Sequence, residues 1–491
     1  MCRRIAMRVL ILASLAGSCG GAFGAELLIG TATTDITPEA PVAVSGQFHL
    51  RIARVVETPV TANVIALESR QDGRSLAAAV MVSCDLLYIP TDVLSLVRKE
   101  VKQRAPDVDP QSIFLNGTHT HTAPVLLPGK YPIPEQGVVQ VERYRAFLVE
   151  RIAEAIARAW SGRQRGSVTW GLGHAVVGYN RRAVYADGSA QMYGRTDTQA
   201  FRHLEGYEDH DVDTLFFFNA DGDLIAVAVN VACPSQEVES RTTVNADFWH
   251  VAREALRKKY GEHLCVLGWA GAAGDQSPHL MYRRAADERM RRLRGLSRME
   301  EIARRIVRGV DEAYEAVKDD RHADVPLVHQ VETVRLPMRL VTEAEYAEAK
   351  AAVAQAAAQI ERDPKAADRV QRRLKWYQAT VQRFENQQTD PKPIYEMELH
   401  VLRLGDVAIC TNAFELFTDY GIRIKARSKA VQTFVIQLVG PGTYLPTAKA
   451  VRGGHYSAVV HSSLVGPEGG QVLVDRTVAV IESMWSEVER D

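Results

Sequence analysis

The sequence is poor in features that would commit it at once to a class. Lys and Arg number 59 against 60 Asp and Glu, a formal net charge of −1. No excess of positive charge is available to hold nucleic acid or an anionic membrane surface. Past the first two dozen residues no hydrophobic run is long enough to cross a bilayer, so stable membrane insertion is not expected. Cysteine is scarce. Of six, Cys2 and Cys19 lie in the leader-like start, and Cys84, Cys233, Cys265 and Cys410 stand far apart, each inside an apolar run. That excludes a disulfide scaffold and predicts buried free thiols. No internal repeat is evident. What is present is ordinary globular composition, 46% hydrophobic over 491 residues, enough for one large domain or two to three smaller ones.

The start, MCRRIAMRVLILASLAGSCGGAFGAELL, reads as a signal peptide over residues 1–24: Arg3, Arg4 and Arg8, then the apolar stretch Val9 to Ala16, then small residues before Ala25. It predicts a secreted or periplasmic protein, with a lipoprotein anchored at Cys19 as the weaker alternative. Over 25–491, apolar strands alternate unevenly with helices and hairpins. Turns fall at Asn219–Gly222 and Leu404–Asp406. The reading is an α/β (α+β) fold: a mixed-sheet core flanked by helices, with a helical hairpin at 342–388 broken near Asp363-Pro364. A loop is expected from about Arg181 to Asp211, and one long basic helix from about Asp287 to Val317.

Several stretches carry chemistry. In IFLNGTHTHTAP, His119 and His121 end an apolar run; on a strand, residues two apart share a face, spaced to reach one metal ion. Two solvated histidines in a polar turn is the plain alternative. In GAAGDQSPH, Asp275 and Ser277 sit on a Gly-rich loop, either positioning substrate or capping the next helix. In NVACPSQ and the NADFWH that follows, Cys233 ends a strand and Asp247 stands at a helix start, where an N-cap is its bland role. Glu415 lies between apolar neighbours in TNAFELF, and a carboxylate buried there needs a cation. Arg181 in GYNRR is an anion clamp or a solvated arginine.

Taken in order, GTATTDITP, NGTHTHTAP, GYNRR, NVACPSQ with NADFW, GAAGDQSPH and FELFTDYGIRIKARS resemble the neutral/alkaline non-lysosomal ceramidase family over most of the chain, from about Ile29 to Met484. The resemblance implies a zinc-dependent amidohydrolase in which a Zn2+-bound water attacks the N-acyl bond of ceramide or a similar lipid-like or small-molecule substrate. It implies His119, Glu415 and Tyr444 as metal ligands, and His121, Arg181, Asp275 and Ser277 as catalytic residues. Two departures stand out. The family's second histidine ligand falls at Cys233-Pro234, so Cys233, His250 or Asp247 would have to supply it, or the metal is lost. The family's C-terminal β-sandwich domain has no counterpart up to Asp491.

Three functions therefore compete: a secreted zinc amidase; a periplasmic esterase or glycan-directed hydrolase on the same core; and a non-catalytic binding homologue lacking the second histidine. Oligomeric state is not readable from the sequence.

Overall fold

In the computed structural model, residues 25–486 are described; the signal-peptide reading of 1–24 falls outside them. The class is α/β with a large mixed sheet, as the patterning predicts. Eight strands run in the order Cys265–Ala270, Leu224–Val231, Asp211–Asn219, Gln164–His174, Glu26–Asp35, Thr61–Gln71, Arg74–Cys84, Ile113–Gly117. The seam at its middle is slender: Glu26–Asp35 meets Gln164–His174 through only two residue pairs. A second sheet has four strands, Leu327–Pro337, Ile394–Leu404, Val407–Thr411 and Gln432–Ile436.

Three segments of this framework follow one plan, an antiparallel hairpin, then a helix, then a strand parallel to the hairpin's second strand. The first is Thr61–Gln71, Arg74–Cys84, helix Thr91–Arg104 and Ile113–Gly117. The second is Asp211–Asn219, Leu224–Val231, helix Phe248–Tyr260 and Cys265–Ala270. The third is Ile394–Leu404, Val407–Thr411, helix Thr418–Arg427 and Gln432–Ile436. The expectation of no internal repeat is therefore corrected at the level of structure. The units match in hydrogen-bond topology and not in residue spacing, because their connecting segments differ in length.

The inner faces of all three units meet in one core containing Phe114, Leu267, Trp269, Ile409 and Phe434. Helices cover each outer face: Thr91–Arg104 and Val141–Ser161 on the first, Phe248–Tyr260 and Arg298–Val317 on the second, Thr418–Arg427 and Pro467–Ser486 on the third. The strand ends that leave this core carry the loops in which nearly all the sequence-predicted site residues lie, the usual place for chemistry in such sheets.

Two local expectations change. The segment 181–211 is not a loop throughout, since Arg182–Tyr185, Ala190–Met192 and Phe201–Leu204 form a small sheet. The basic helix divides into Arg284–Leu293 and Arg298–Val317. Gly295, at φ +68°, ends the first, and Ser297 with Glu300 forms a reciprocal capping box that starts the second. The helical hairpin is Glu343–Arg362 and Ala367–Gln387. All four cysteines of the described chain are free and buried.

Candidate active site

His119 and His121 lie beyond the strand that precedes them. The strand ends at Gly117, and His119 takes φ +71°, a left-handed conformation that side chains other than glycine adopt at a cost of order 1–3 kcal/mol. The shared-face argument is thus wrong in its geometry. The kink nevertheless brings the two rings together, their centroids 5.0 Å apart.

Neighbouring groups fix which ring nitrogens carry protons. His119 Nδ1 stands 2.8 Å from the Leu87 carbonyl, which only accepts, so Nδ1 holds the proton and the neutral ring presents a lone pair at Nε2. Arg181 Nη1 donates to Gln236 Oε1 at 3.1 Å. The Gln236 amide nitrogen therefore faces His121 Nε2, at 2.7 Å, and donates to it. His121 Nδ1 lies 3.3 Å from Glu239 Oε2. Burial, the His119 ring and nearby arginines hold His121 well below the usual histidine range. Both Nε2 atoms are acceptors, and they face each other at 3.4 Å. Gly46 permits this packing, since a Cβ there would meet the His121 ring at 2.4 Å.

Glu415 comes from the third unit, in a two-residue strand paired with Tyr444-Leu445. Its Oε2 is 3.5 Å from His119 Nε2. Burial pushes this carboxyl up, but His119, Arg181 and the Tyr444 hydroxyl outweigh it and leave it below the usual range. Burial, then Glu415, raise the Tyr444 phenol well above its ordinary value. Arg181 is 1% exposed. It donates to Gly274 O (2.9 Å), Tyr193 OH (3.1 Å) and Tyr444 OH (3.3 Å) besides Gln236. The guanidinium is thus fixed in place next to Glu415 and Tyr444, as sequence reading alone could only offer as one of two roles.

Other sequence candidates stand differently. Asp275 accepts from the Thr418 backbone and hydroxyl, each at 2.8 Å, and from Asn180 at 3.0 Å, while its backbone carbonyl accepts from the Arg181 N–H. Burial raises its carboxyl. It is a positioning residue that locks the Gly-rich loop to Arg181 and to the helix beginning at Thr418. Ser277 is buried, and its hydroxyl accepts from the His279 N–H at 3.2 Å. Cys233 donates to the Val177 carbonyl at 3.4 Å and belongs to the apolar cluster of Phe248 and Trp249. Burial, then Asp247, lift its thiol well above the usual value. Among the described residues no hydrogen bond joins it to His119, His121 or Glu415. Asp247 caps its helix by accepting from the Phe248 N–H. Gln236, Glu239, Tyr193 and His279 complete the surroundings. Gln236 and His279 sat inside quoted motifs, but nothing in the motifs marked them.

Among the described residues no group of three or more His, Cys, Asp and Glu side chains is arranged to hold a metal ion. The set that fits a cation is smaller: His119 and Glu415, with the Tyr444 hydroxyl beside the carboxylate. The 3.5 Å between His119 Nε2 and Glu415 Oε2 is close to the roughly 3.3 Å edge of a tetrahedron built on zinc bonds of about 2.0–2.1 Å. In the neutral tautomer both atoms are acceptors, so a cation or an added proton is needed between them.

This mixed α/β architecture is the fold of the neutral ceramidases. A crystal structure of neutral ceramidase from Pseudomonas aeruginosa superposes with a TM-score of 0.65 at 17% sequence identity, covering 94% of this chain and 75% of that one. A ceramidase complexed with C2 matches with the same score and identity, over 94% and 76%. No profile of a protein family matches the chain, and no curated protein matches it in sequence.

Proposed function

We propose that the protein is a hydrolase of the ceramidase type, cleaving the N-acyl amide of a lipid-like compound with the help of zinc. The observation that carries this reading is the meeting of His119 Nε2, His121 Nε2 and Glu415 Oε2 at 3.4 and 3.5 Å beside an immobilised arginine, in a chain with the ceramidase fold. His119, Glu415 and Tyr444 would hold the metal, which when bound supplies an activated water at neutral pH. His121, kept neutral by burial, would take a proton from a bound water at Nε2 once the Gln236 amide that donates to it there turns aside. Arg181 and the Tyr444 hydroxyl donate to the carbonyl oxygen as negative charge develops on it. The four acceptors around Arg181 fix it before the reaction begins. Export through residues 1–24 would place this chemistry outside the cytoplasm. Among the described residues no helix is long and apolar enough to cross a membrane.

Two observations favour a second reading, a binding protein without turnover: the Gln236 amide occupies His121 Nε2, and Cys233 lies in an apolar cluster. Elemental analysis combined with hydrolysis of a fluorescent-acyl ceramide and a fluorescent-acyl ester separates the two. The hydrolase reading expects about one zinc per chain and amide cleavage. Arg181→Ala is then expected to lower kcat by about a hundredfold, at roughly 3 kcal/mol for a fixed donor, with the unfolding midpoint of the apo-protein little changed. Zinc-free protein that cleaves neither substrate after zinc is added sinks it.

A further inference from the structure

The site is closed on one side by aromatic rings. Tyr456 packs on Tyr444 with centroids 5.6 Å apart, and Phe48 and Trp376 pack on Tyr456 at 5.6 and 5.9 Å. On another side lies an open cavity of about 490 Å³. Two of its lining residues touch the site directly: Glu239 reaches His121 at 3.3 Å, and Tyr193 accepts from Arg181 at 3.1 Å. A substrate held at Arg181 and His121 would have this cavity as its neighbour across Tyr193 and Glu239.

The lining is charged, and most of its charges are already matched. Arg298 pairs with Glu237 through two contacts, at 2.6 and 3.2 Å. Glu288 pairs with Arg291. Glu239 lies between His121 and His279, at 3.3 and 3.5 Å. Arg284 differs. Its Nε donates to the Leu280 carbonyl at 2.6 Å, and among the described residues it forms no ion pair. That leaves the two terminal nitrogens of its guanidinium, a fork matched to a carboxylate. His279 lies in the same wall. Its interactions with Glu239 and Glu237 outweigh burial and raise it above its ordinary value, so its charge answers Glu239 and Arg284 remains the wall's cation without an ion pair among the described residues.

We propose that this cavity binds an anionic group on the substrate, with Arg284 as the recognising residue, so that the preferred substrates are N-acyl amines carrying a carboxylate near the amide. The inference rests on the hydrolase reading for its catalytic half and on the cavity's own chemistry for its binding half.

Two measurements test it. The first compares kcat/KM for N-lauroylglycine and its neutral counterpart N-lauroylethanolamine, in the wild type and in Arg284→Ala. The wild type is expected to prefer the glycine conjugate by about tenfold or more, and Arg284→Ala to bring the ratio close to one. A ratio near one in the wild type, or one that Arg284→Ala leaves intact, overturns the proposal. The second needs no turnover: calorimetric titration with N-acetylglycine and N-acetylethanolamine, in the wild type and in Arg284→Glu. Selective binding of the anion that Arg284→Glu abolishes supports the site even if neither lauroyl amide is hydrolysed, a result that would count against the hydrolase reading alone. Equal binding of both probes, binding of neither, or no effect of Arg284→Glu rejects it.

Discussion

Two pairs of histidines meet ring to ring in this molecule. In the first, His119 and His121, Nε2 faces Nε2 at 3.4 Å; the Leu87 carbonyl leaves the lone pair of His119 Nε2 open, and the Gln236 amide donates into that of His121 Nε2. In the second, His329 and His400 in the four-stranded sheet, His329 Nδ1 meets the Ala78 carbonyl at 2.9 Å and its Nε2 meets His400 Nδ1 at 3.0 Å. With both rings neutral this contact too joins two acceptors, because His329 Nδ1 gives its proton to the carbonyl and His400 Nε2 gives its own to Glu398. The chain continues from His400 Nε2 to Glu398 at 2.7 Å and from Glu398 to Arg98. Both pairs are buried and both end on a glutamate. They differ in what stands beside the facing atoms: His119 Nε2 also meets the Glu415 carboxylate at 3.5 Å, a set of acceptors that a cation can bridge, whereas in the other pair the carboxylate lies on the far side of His400 and a single proton would close the gap. A site is distinguished from a structural network by donor and acceptor arithmetic, and burial of titratable groups does not distinguish them.

The comparison breaks most sharply on removal of a carboxylate. His119→Ala and Glu415→Gln are each expected to abolish zinc binding and activity. The loss should exceed the roughly 10–100-fold that removing an outer hydrogen-bond partner of a metal ligand costs. Glu398→Gln, the matching change in the other pair, is expected to leave zinc content unchanged and to lower stability. Elemental analysis and thermal unfolding of the three variants read this directly. Equal zinc in Glu415→Gln and Glu398→Gln would erase the distinction.

A pH titration gives a smaller effect, of the order of a few kcal/mol from about 1.4 kcal/mol per pK unit. Burial, reinforced by His400, pushes His329 down to about 3. The unfolded chain protonates this ring near pH 6.5 while the folded chain resists until about 3. The contribution to stability is thus complete above 6.5 and is lost as pH falls through that window. Glu398 acts in the same sense lower down. Burial raises it, but its bonds to His400 and Arg98 leave it at about 2, so its contribution is lost between about 4.5 and 2. Urea unfolding at pH 7, 6, 5 and 4 should show midpoints falling with pH, and His329→Phe should flatten the upper part of that slope. An unchanged slope in His329→Phe would place the sensitivity elsewhere.

The sequence made the fold class visible because strand and helix periods are local, and the hairpins at Asn219–Gly222 and Leu404–Asp406 carry their own turn residues. The threefold plan was invisible because it resides in hydrogen-bond topology, while the connecting segments differ in length. At the site, Glu415 was legible as a carboxylate in apolar surroundings, and the structure places it 3.5 Å from His119. The fixing of Arg181 was not legible, since its partners Gly274, Gln236, Tyr193 and Tyr444 are scattered along the chain. His119 was singled out for a reason that fails, a shared strand face, because φ +71° at a histidine follows from contacts the local sequence does not contain. Its backbone N–H, for one, donates to the Leu86 carbonyl of a distant segment.

The smallest effect sharpens the comparison between the three repeated units. Each sends a loop out from the second strand of its hairpin, after Cys84, Val231 and Thr411. The first loop offers the Leu87 carbonyl to His119, and the third offers Glu415 to the same ring. The second carries Cys233, the sequence candidate for a missing ligand, and Gln236, which contacts His121. Cys233 is fully buried in an apolar cluster, its thiol donates to Val177, and among the described residues no hydrogen bond joins it to His119, His121 or Glu415. A zinc ligand must be a thiolate. Cys233→Ser should therefore leave zinc content equal to the wild type and cost about 1–2 kcal/mol, a hydroxyl being less suited than a thiol to this apolar cluster. Cys233→His should not gain a ligand either. The ring overfills a cluster that already holds Phe248 and Trp249, a strain of about 1–3 kcal/mol. Zinc per chain and urea midpoints of the wild type and both variants, measured together, decide the matter. A loss of zinc in Cys233→Ser with an unshifted midpoint would return Cys233 to the metal and make the second loop the equal of the other two.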